Sequence, residues 1–143
     1  MTTDISMKEY LSYFKDKRLI SIFIFGMASG FPWVLIGSVL SAWLKDEGLS
    51  RSTIGLFGLV FGAYSINFLW SPLVDRVKLP ILNKLLGLRR SWILFTQFFI
   101  IAATLLLSTV DISANLKLVA MISIVIAIAS ATQDISIDAF RID

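Results

Sequence analysis

Long uncharged stretches alternate with short charged ones along this chain, and their lengths dictate the first reading. Residues 19–44 carry no charge and exceed the roughly 20 residues that a helix needs to cross a bilayer core. Three further apolar stretches follow, at about 53–74, 91–110 and 118–139, so the pattern predicts four transmembrane helices and an all-α integral membrane fold. The connection at Lys45–Ser50 is short, which makes spans one and two antiparallel neighbours. Gly48 suits the position just past a helix end, Ser50 suits an N-cap, and Leu49 with Ile54 has the spacing of a hydrophobic staple.

Helical spacing sorts each span into faces. Span one gathers Gly26, Gly30, Gly37 and Ser41 beside Trp33, a smooth side that admits a neighbouring helix, and Pro32 should kink it by removing a backbone donor. Span two places Gly55, Gly58, Gly62, Ser65 and Pro72 on one face, a second close-packing seam, and Tyr64, Asn67 and Ser71 nearly opposite. Span three carries a polar stripe of Gln97, Thr104 and Ser108. Ahead of them, residues 1–18 are polar and have no signal-peptide core. Ser6-x-x-Glu9 has capping-box spacing, and Met7, Tyr10, Leu11 and Phe14 give an amphipathic period, so an interfacial helix is expected there, with a plain polar tail as the alternative.

Only span four holds charge within an apolar run. Asp134 and Asp138 stand at i and i+4, about 5–6 Å apart at Cβ. Ser123, Ala127, Ser130, Ala131 and Arg141 share their stripe, while Ile122, Ile124, Val125, Ile128 and Ile135 form the back. The helix therefore reads as one that lines a cavity. Leu118 to Asp138 is about one full crossing, whereas Asp134 falls about 17 residues in, at the short end of a span. Burial and a second carboxylate both penalise the charged form, so such a pair can take up and release a proton near neutrality or hold a cationic group. The alternative is that both acids sit in cytosolic water as the helix emerges, with Arg141 neutralising Asp138. Against it, acids at a helix C-terminus meet the negative end of the dipole and need outside compensation.

Composition narrows the function. Of 143 residues, 57% are hydrophobic and 16% charged, too apolar for a soluble domain of this length. The absence of cysteine removes thiol and disulfide chemistry, and the absence of histidine removes the commonest general base and metal ligand. An enzyme would rest on Asp134 and Asp138 alone; no metal or cofactor is expected. The net charge of +3 fits membrane orientation rather than nucleic acid. Ten Lys and Arg lie in the tail, the connector after span two and Arg141, against three (Lys45, Arg51, Lys117) on the other side, so both termini should be cytoplasmic.

Two motifs carry a family likeness. Phe68-Leu69-Trp70-Ser71-Pro72-Leu73-Val74-Asp75-Arg76 and Ser130-Ala131-Thr132-Gln133-Asp134-Ile135-Ser136-Ile137-Asp138-Ala139 resemble the AmpG muropeptide permeases of the major facilitator superfamily, as does Gly26-Met27-Ala28-Ser29-Gly30-Phe31-Pro32 in span one. The resemblance implies a proton-linked inner-membrane importer of anhydromuropeptides, working by the rocking of helix bundles. It places Asp75 and Arg76 at the superfamily's cytoplasmic gate motif, and Asp134, Asp138 and Gln133 at proton or substrate contacts. Tyr64, Asn67, Gln97 and Ser130 are candidate cavity residues that suit interhelical hydrogen bonding equally. Leu88, in Gly87-Leu88-Arg89-Arg90, stands where that family more usually has a basic residue.

Four spans make one inverted-repeat triplet and the first helix of the next, so the chain is expected to be a fragment of the N-terminal bundle, with the remaining helices, a solute, protons and lipid as partners. Competing readings are an acetyl-CoA transporter of the same superfamily and a four-span interaction or scaffold protein.

Overall fold

The computed structural model describes residues 17–142 and contains no β-strand among them. The expected interfacial segment lies, up to residue 16, outside the described residues, as do the Arg141 side chain and Asp143. Four helical stretches are long and apolar enough to cross a membrane: Leu19–Asp46, Arg51–Leu69, Leu88–Ser108 and Leu116–Phe140.

The first rod comprises α1 (Lys17–Val34), a π-helical segment (Leu35–Leu40) and α2 (Ser41–Asp46). Pro32 lies inside α1 with its ring buried, and the wider π pitch begins one turn beyond it. A proline and a π segment are two standard sources of helix irregularity, here side by side. The rod ends in a Schellman motif: Gly48 takes φ 78°, its N–H donates to Lys45 O at 3.0 Å, and Leu49 N–H donates to Leu44 O at 3.2 Å. Ser50 then caps α3 (Arg51–Phe57), its hydroxyl accepting from Thr53 N–H at 3.2 Å, while Leu49 and Ile54 pack on the core.

The second rod departs from the single helix its apolar run predicts. After α3 it passes through a 3₁₀ segment (Gly58–Phe61), α4 (Gly62–Ser65), a 3₁₀ turn (Asn67–Leu69) and α5 (Ser71–Arg76). Pro72 explains the last break: it has no N–H to offer Phe68 O, so the chain restarts with proline in the first turn of α5, where no donor is required. The predicted glycine seam does not pack either. A Cβ added at Gly55, Gly58 or Gly62 would meet nothing within 4 Å, and the same holds for Gly30. The contact between the first two rods is aromatic instead: Trp33 meets Phe61 at 4.5 Å and Tyr64 at 5.3 Å between ring centroids. Only Gly37 is tight, its would-be Cβ 3.1 Å from Phe61 Cζ.

A short α6 (Leu82–Leu86) and Gly87, at φ 80°, lead into α7 (Leu88–Ser108), and α8 (Leu116–Ile142) closes the chain. Helix α8 is the centre of the molecule, packing along α7 and against α1, α4 and α5. The core draws on all four rods, through Ile36, Leu40 and Leu44, Phe57 and Val60, Ala103 and Leu107, and Val119, Ile122 and Ile126. On α8, Ser123, Ala127, Ser130 and Ala131 are buried, while Ile124, Val125 and Ile128 are exposed. Ile122 departs from the predicted aliphatic back and lies in the core, because helices contact α8 over more than the one polar stripe.

Candidate functional site

The carboxyl-proximal half of α8 is ringed by neighbours, and its polar side chains find partners on each of the other rods. Asp134 is half-buried, and the Ser29 hydroxyl of α1 donates to its Oδ1. Gln133 is 1% exposed, and its Nε2 donates to Gln97 Oε1 of α7 at 2.7 Å. The Trp70 indole N–H, at the break before α5, donates to Thr132 Oγ1 at 3.1 Å. Three consecutive residues of one helix thus reach three different rods, since successive side chains are rotated by about 100°.

Tyr64 enters from α4, its ring packed on Trp33. Its hydroxyl is buried beside Ser130 and within electrostatic reach of Asp134. Tyr64 Oη, Ser130 Oγ and Gln133 Oε1 are all buried and have no hydrogen-bond partner among the described residues. A cluster of polar oxygens around a carboxylate is thereby set among apolar helices, an arrangement that mutual packing alone does not require.

Of the residues singled out from the sequence, Tyr64, Gln97, Ser130, Gln133 and Asp134 come together. Asp138, one turn further, is exposed. Asn67 is half-buried on its 3₁₀ turn, which lies against α8. Thr104 and Ser108, from the stripe on span three, bond back to their own helix, at Ile100 O and Leu105 O, both at 2.7 Å. Asp75 forms an ion pair with Arg89 across the connector, while Arg76 is exposed. Nearby, Trp92 Nε1–H donates to Val77 O at 3.0 Å, and Arg90 lies 5.5 Å over the Phe140 ring, which also meets Phe25 edge-on at 5.7 Å. This end of the bundle is therefore tied together by one ion pair, one indole bond and one aromatic stack.

Sequence reasoning missed Ser29 and Trp70 as site residues. The signal for Ser29 was its i, i+4 relation to Trp33, which puts it one turn along the same face. Trp70 carried no such signal, since its aim depends on the chain break at Pro72.

Four membrane-crossing helices closed around a buried polar cluster define a multi-pass integral membrane protein. The chain belongs to the family described as acetyl-coenzyme A transporter 1, whose model matches residues 18–143. It is 39% identical over 135 residues to the anhydromuropeptide permease of Escherichia coli (strain K12), covering 94% of this chain and 27% of that protein. The putative transporter AmpG 4 of Rickettsia felis is 38% identical over 130 residues (91% of this chain, 31% of the relative). AmpG 1 of Rickettsia bellii is 39% identical over 126 residues (88% and 31%). The resemblance drawn from the span-two and span-four motifs is thus borne out by relatives of that name. The chain spans between a quarter and a third of the length of these curated relatives. No solved structure matches it.

Proposed function

We propose that the chain forms part of a proton-linked permease of the bacterial inner membrane that imports muropeptides, the sugar-peptide fragments of peptidoglycan, with both ends of the segment in the cytoplasm. The observation that carries this reading is the Asp134 carboxylate, held by Ser29 at the meeting of the helices beside the orphan oxygens of Tyr64 and Ser130. An ionisable group at that depth is costly unless its charge changes are used. Asp134 takes and releases the proton. Gln133, oriented by Gln97, offers its carbonyl oxygen to hydroxyl or amide groups of the solute, and Ser130, Tyr64 and Asn67 line the same side. Asp138, nearer the cytosol, hands protons to and from bulk water. The Asp75–Arg89 pair, with Arg76 beside it, acts as the inner gate, closing and opening as the bundles rock. The first eighteen residues lie at the membrane surface, and the spans pack against the remaining helices of the transporter.

The relatives' names support the solute class, since one is a named anhydromuropeptide permease. The family description favours a second reading, transport of acetyl-coenzyme A. A chimera tests both: this chain replaces the aligned segment of the Escherichia coli permease, and uptake of labelled anhydromuropeptide and of acetyl-coenzyme A is measured in proteoliposomes with an imposed proton gradient. Gradient-dependent muropeptide uptake, lost in Asp134→Asn, is expected. Uptake that ignores both the gradient and this substitution would remove Asp134 from the mechanism.

A further inference from the structure

The Tyr64 and Ser130 hydroxyls share one buried space, yet neither is hydrogen-bonded within the described residues. Ser130 is 0% exposed, and Asp134 follows it by one helical turn on the same face. Two buried hydroxyls left unsatisfied cost on the order of 1–3 kcal/mol each, a penalty that native structures avoid. Rotation of the hydroxyl hydrogens leaves both groups able to donate or accept, while the ionised carboxylate only accepts. A group that must bridge two hydroxyls and an acceptor, in a space bounded by Trp33, Phe61 and α8, is small, neutral and able to donate and accept at once.

We propose that a single ordered water molecule is bound between the Tyr64 hydroxyl, Ser130 Oγ and the Asp134 carboxylate, and that it is the contact through which Asp134 exchanges its proton. Buried waters typically make about three hydrogen bonds to polar groups that otherwise lack partners, and this site supplies three. The water links α4 to α8, where the direct protein contacts are aromatic and apolar. In the exchange, the carboxyl O–H bond breaks as an O–H bond forms to the water oxygen, and one of the water's own protons passes to the next water towards the cytosol. Asp134 is left as the carboxylate that Ser29 supports. Tyr64 and Ser130 hold the water and neither gains nor loses a proton.

The charged and titratable groups around Asp134 fit this assignment. From α4 only Tyr64 faces it. On its own helix Asp138 stands one turn on and is exposed. At the nearby end of α5 and α7, Asp75 is paired with Arg89, and Arg90 is stacked on Phe140. From α1 the contact is the neutral Ser29 hydroxyl.

The exchange role rests on the proton-coupled reading above, but the water site does not, and the test separates them. The chain is reconstituted in lipid and infrared difference spectra are recorded in H₂¹⁶O and H₂¹⁸O, with the wild type, Tyr64→Phe and Ser130→Ala compared. Expected is an isotope-shifted O–H band of a bound water that disappears in each variant, while circular dichroism remains that of the wild type. Tyr64→Phe keeps the ring and its packing on Trp33, so loss of the band there reports on the hydroxyl and not on folding. An isotope-shifted band that survives both substitutions, or no such band in the wild type, overturns the site. In the chimera, Tyr64→Phe should move the pH profile of uptake while leaving KM for the solute within about twofold; an unmoved profile overturns the exchange role. If Asp134→Asn leaves gradient-driven uptake intact while the band still depends on Tyr64 and Ser130, the transport reading falls and the water site stands.

Discussion

Asp134 shows how little a residue's own identity says about its surroundings. A carboxylate placed 17 or so residues into an apolar run already signals a special position. Which groups meet it was not legible, because Ser29 lies 105 positions away in the chain. That hydrogen bond to a charged acceptor should be worth about 1.5–3 kcal/mol. Ser29→Ala is therefore expected to lower unfolding stability in mixed micelles by that amount at neutral pH, with Ser29→Thr retaining most of it. Equal stability of the alanine and threonine variants would show the contact to be idle. Asp111, outside the membrane in the turn between α7 and α8, illustrates the opposite case, in which a residue's neighbours in sequence settle its state. Its Oδ1 accepts from Ser113 Oγ at 2.7 Å, Ser113 N–H at 2.9 Å and Ala114 N–H at 3.3 Å. The Ser113 hydroxyl foremost, with the Ala114 amide, holds its carboxyl below the usual aspartate range. A lowered folded-state value means the turn is fully supported above the ordinary aspartate range and loses that support as pH falls through the lowered value. Hydrogen exchange at the Ser113 and Ala114 amides should accelerate on acidification through that window, and Asp111→Asn should flatten the response.

Helix ends followed their local signals more faithfully than helix middles. The Gly48–Ser50 turn formed as its residues dictate, because a Schellman motif and an N-cap are satisfied by atoms within six residues of one another. At φ 78°, with open space around the position, Gly48→Ala should cost roughly 1–2 kcal/mol from backbone conformation alone. Gly55→Ala, in ordinary helical geometry and equally open space, should be neutral or slightly stabilising. Parallel thermal melts of the two variants check the contrast. The glycine seam of span two misled, since small residues make close approach possible without fixing where a neighbour sits. Bulky rings at Trp33, Phe61 and Tyr64 took the contact instead. Between α7 and α8 the Gln97–Gln133 bond links the buried faces. Gln97→Leu alone leaves the Gln133 amide hydrogens unpaired and should destabilise by about 1–3 kcal/mol. Adding Gln133→Leu should recover most of that loss, a non-additivity that a double-mutant cycle in denaturant measures.

The bundle is a hub-and-rim structure, with α8 in the middle and much of the outer surface of α1, the second rod and α7 apolar and exposed, as at Phe23, Leu59 and Phe98. Such surfaces suit a bilayer or further helices. The charge bias predicts that alkaline phosphatase fused in the Asp46 turn is active and fused in the Lys78–Lys84 connector is inactive; the reverse pattern would invert the topology. Span number, membrane class, the turn chemistry and the candidate acids could be read from residues alone, because each depends on run length, local backbone preference or the cost of charge in hydrocarbon, all short-range properties of the chain. The relatives' family was legible as well, through contiguous motifs. The break at Trp70, the burial of Ile122, the Ser29 and Trp70 contacts and the meeting of Tyr64 with Ser130 required the folded bundle. Each depends on how helices far apart in sequence rotate and pack about α8, and periodicity within one helix names a face without naming what that face will touch.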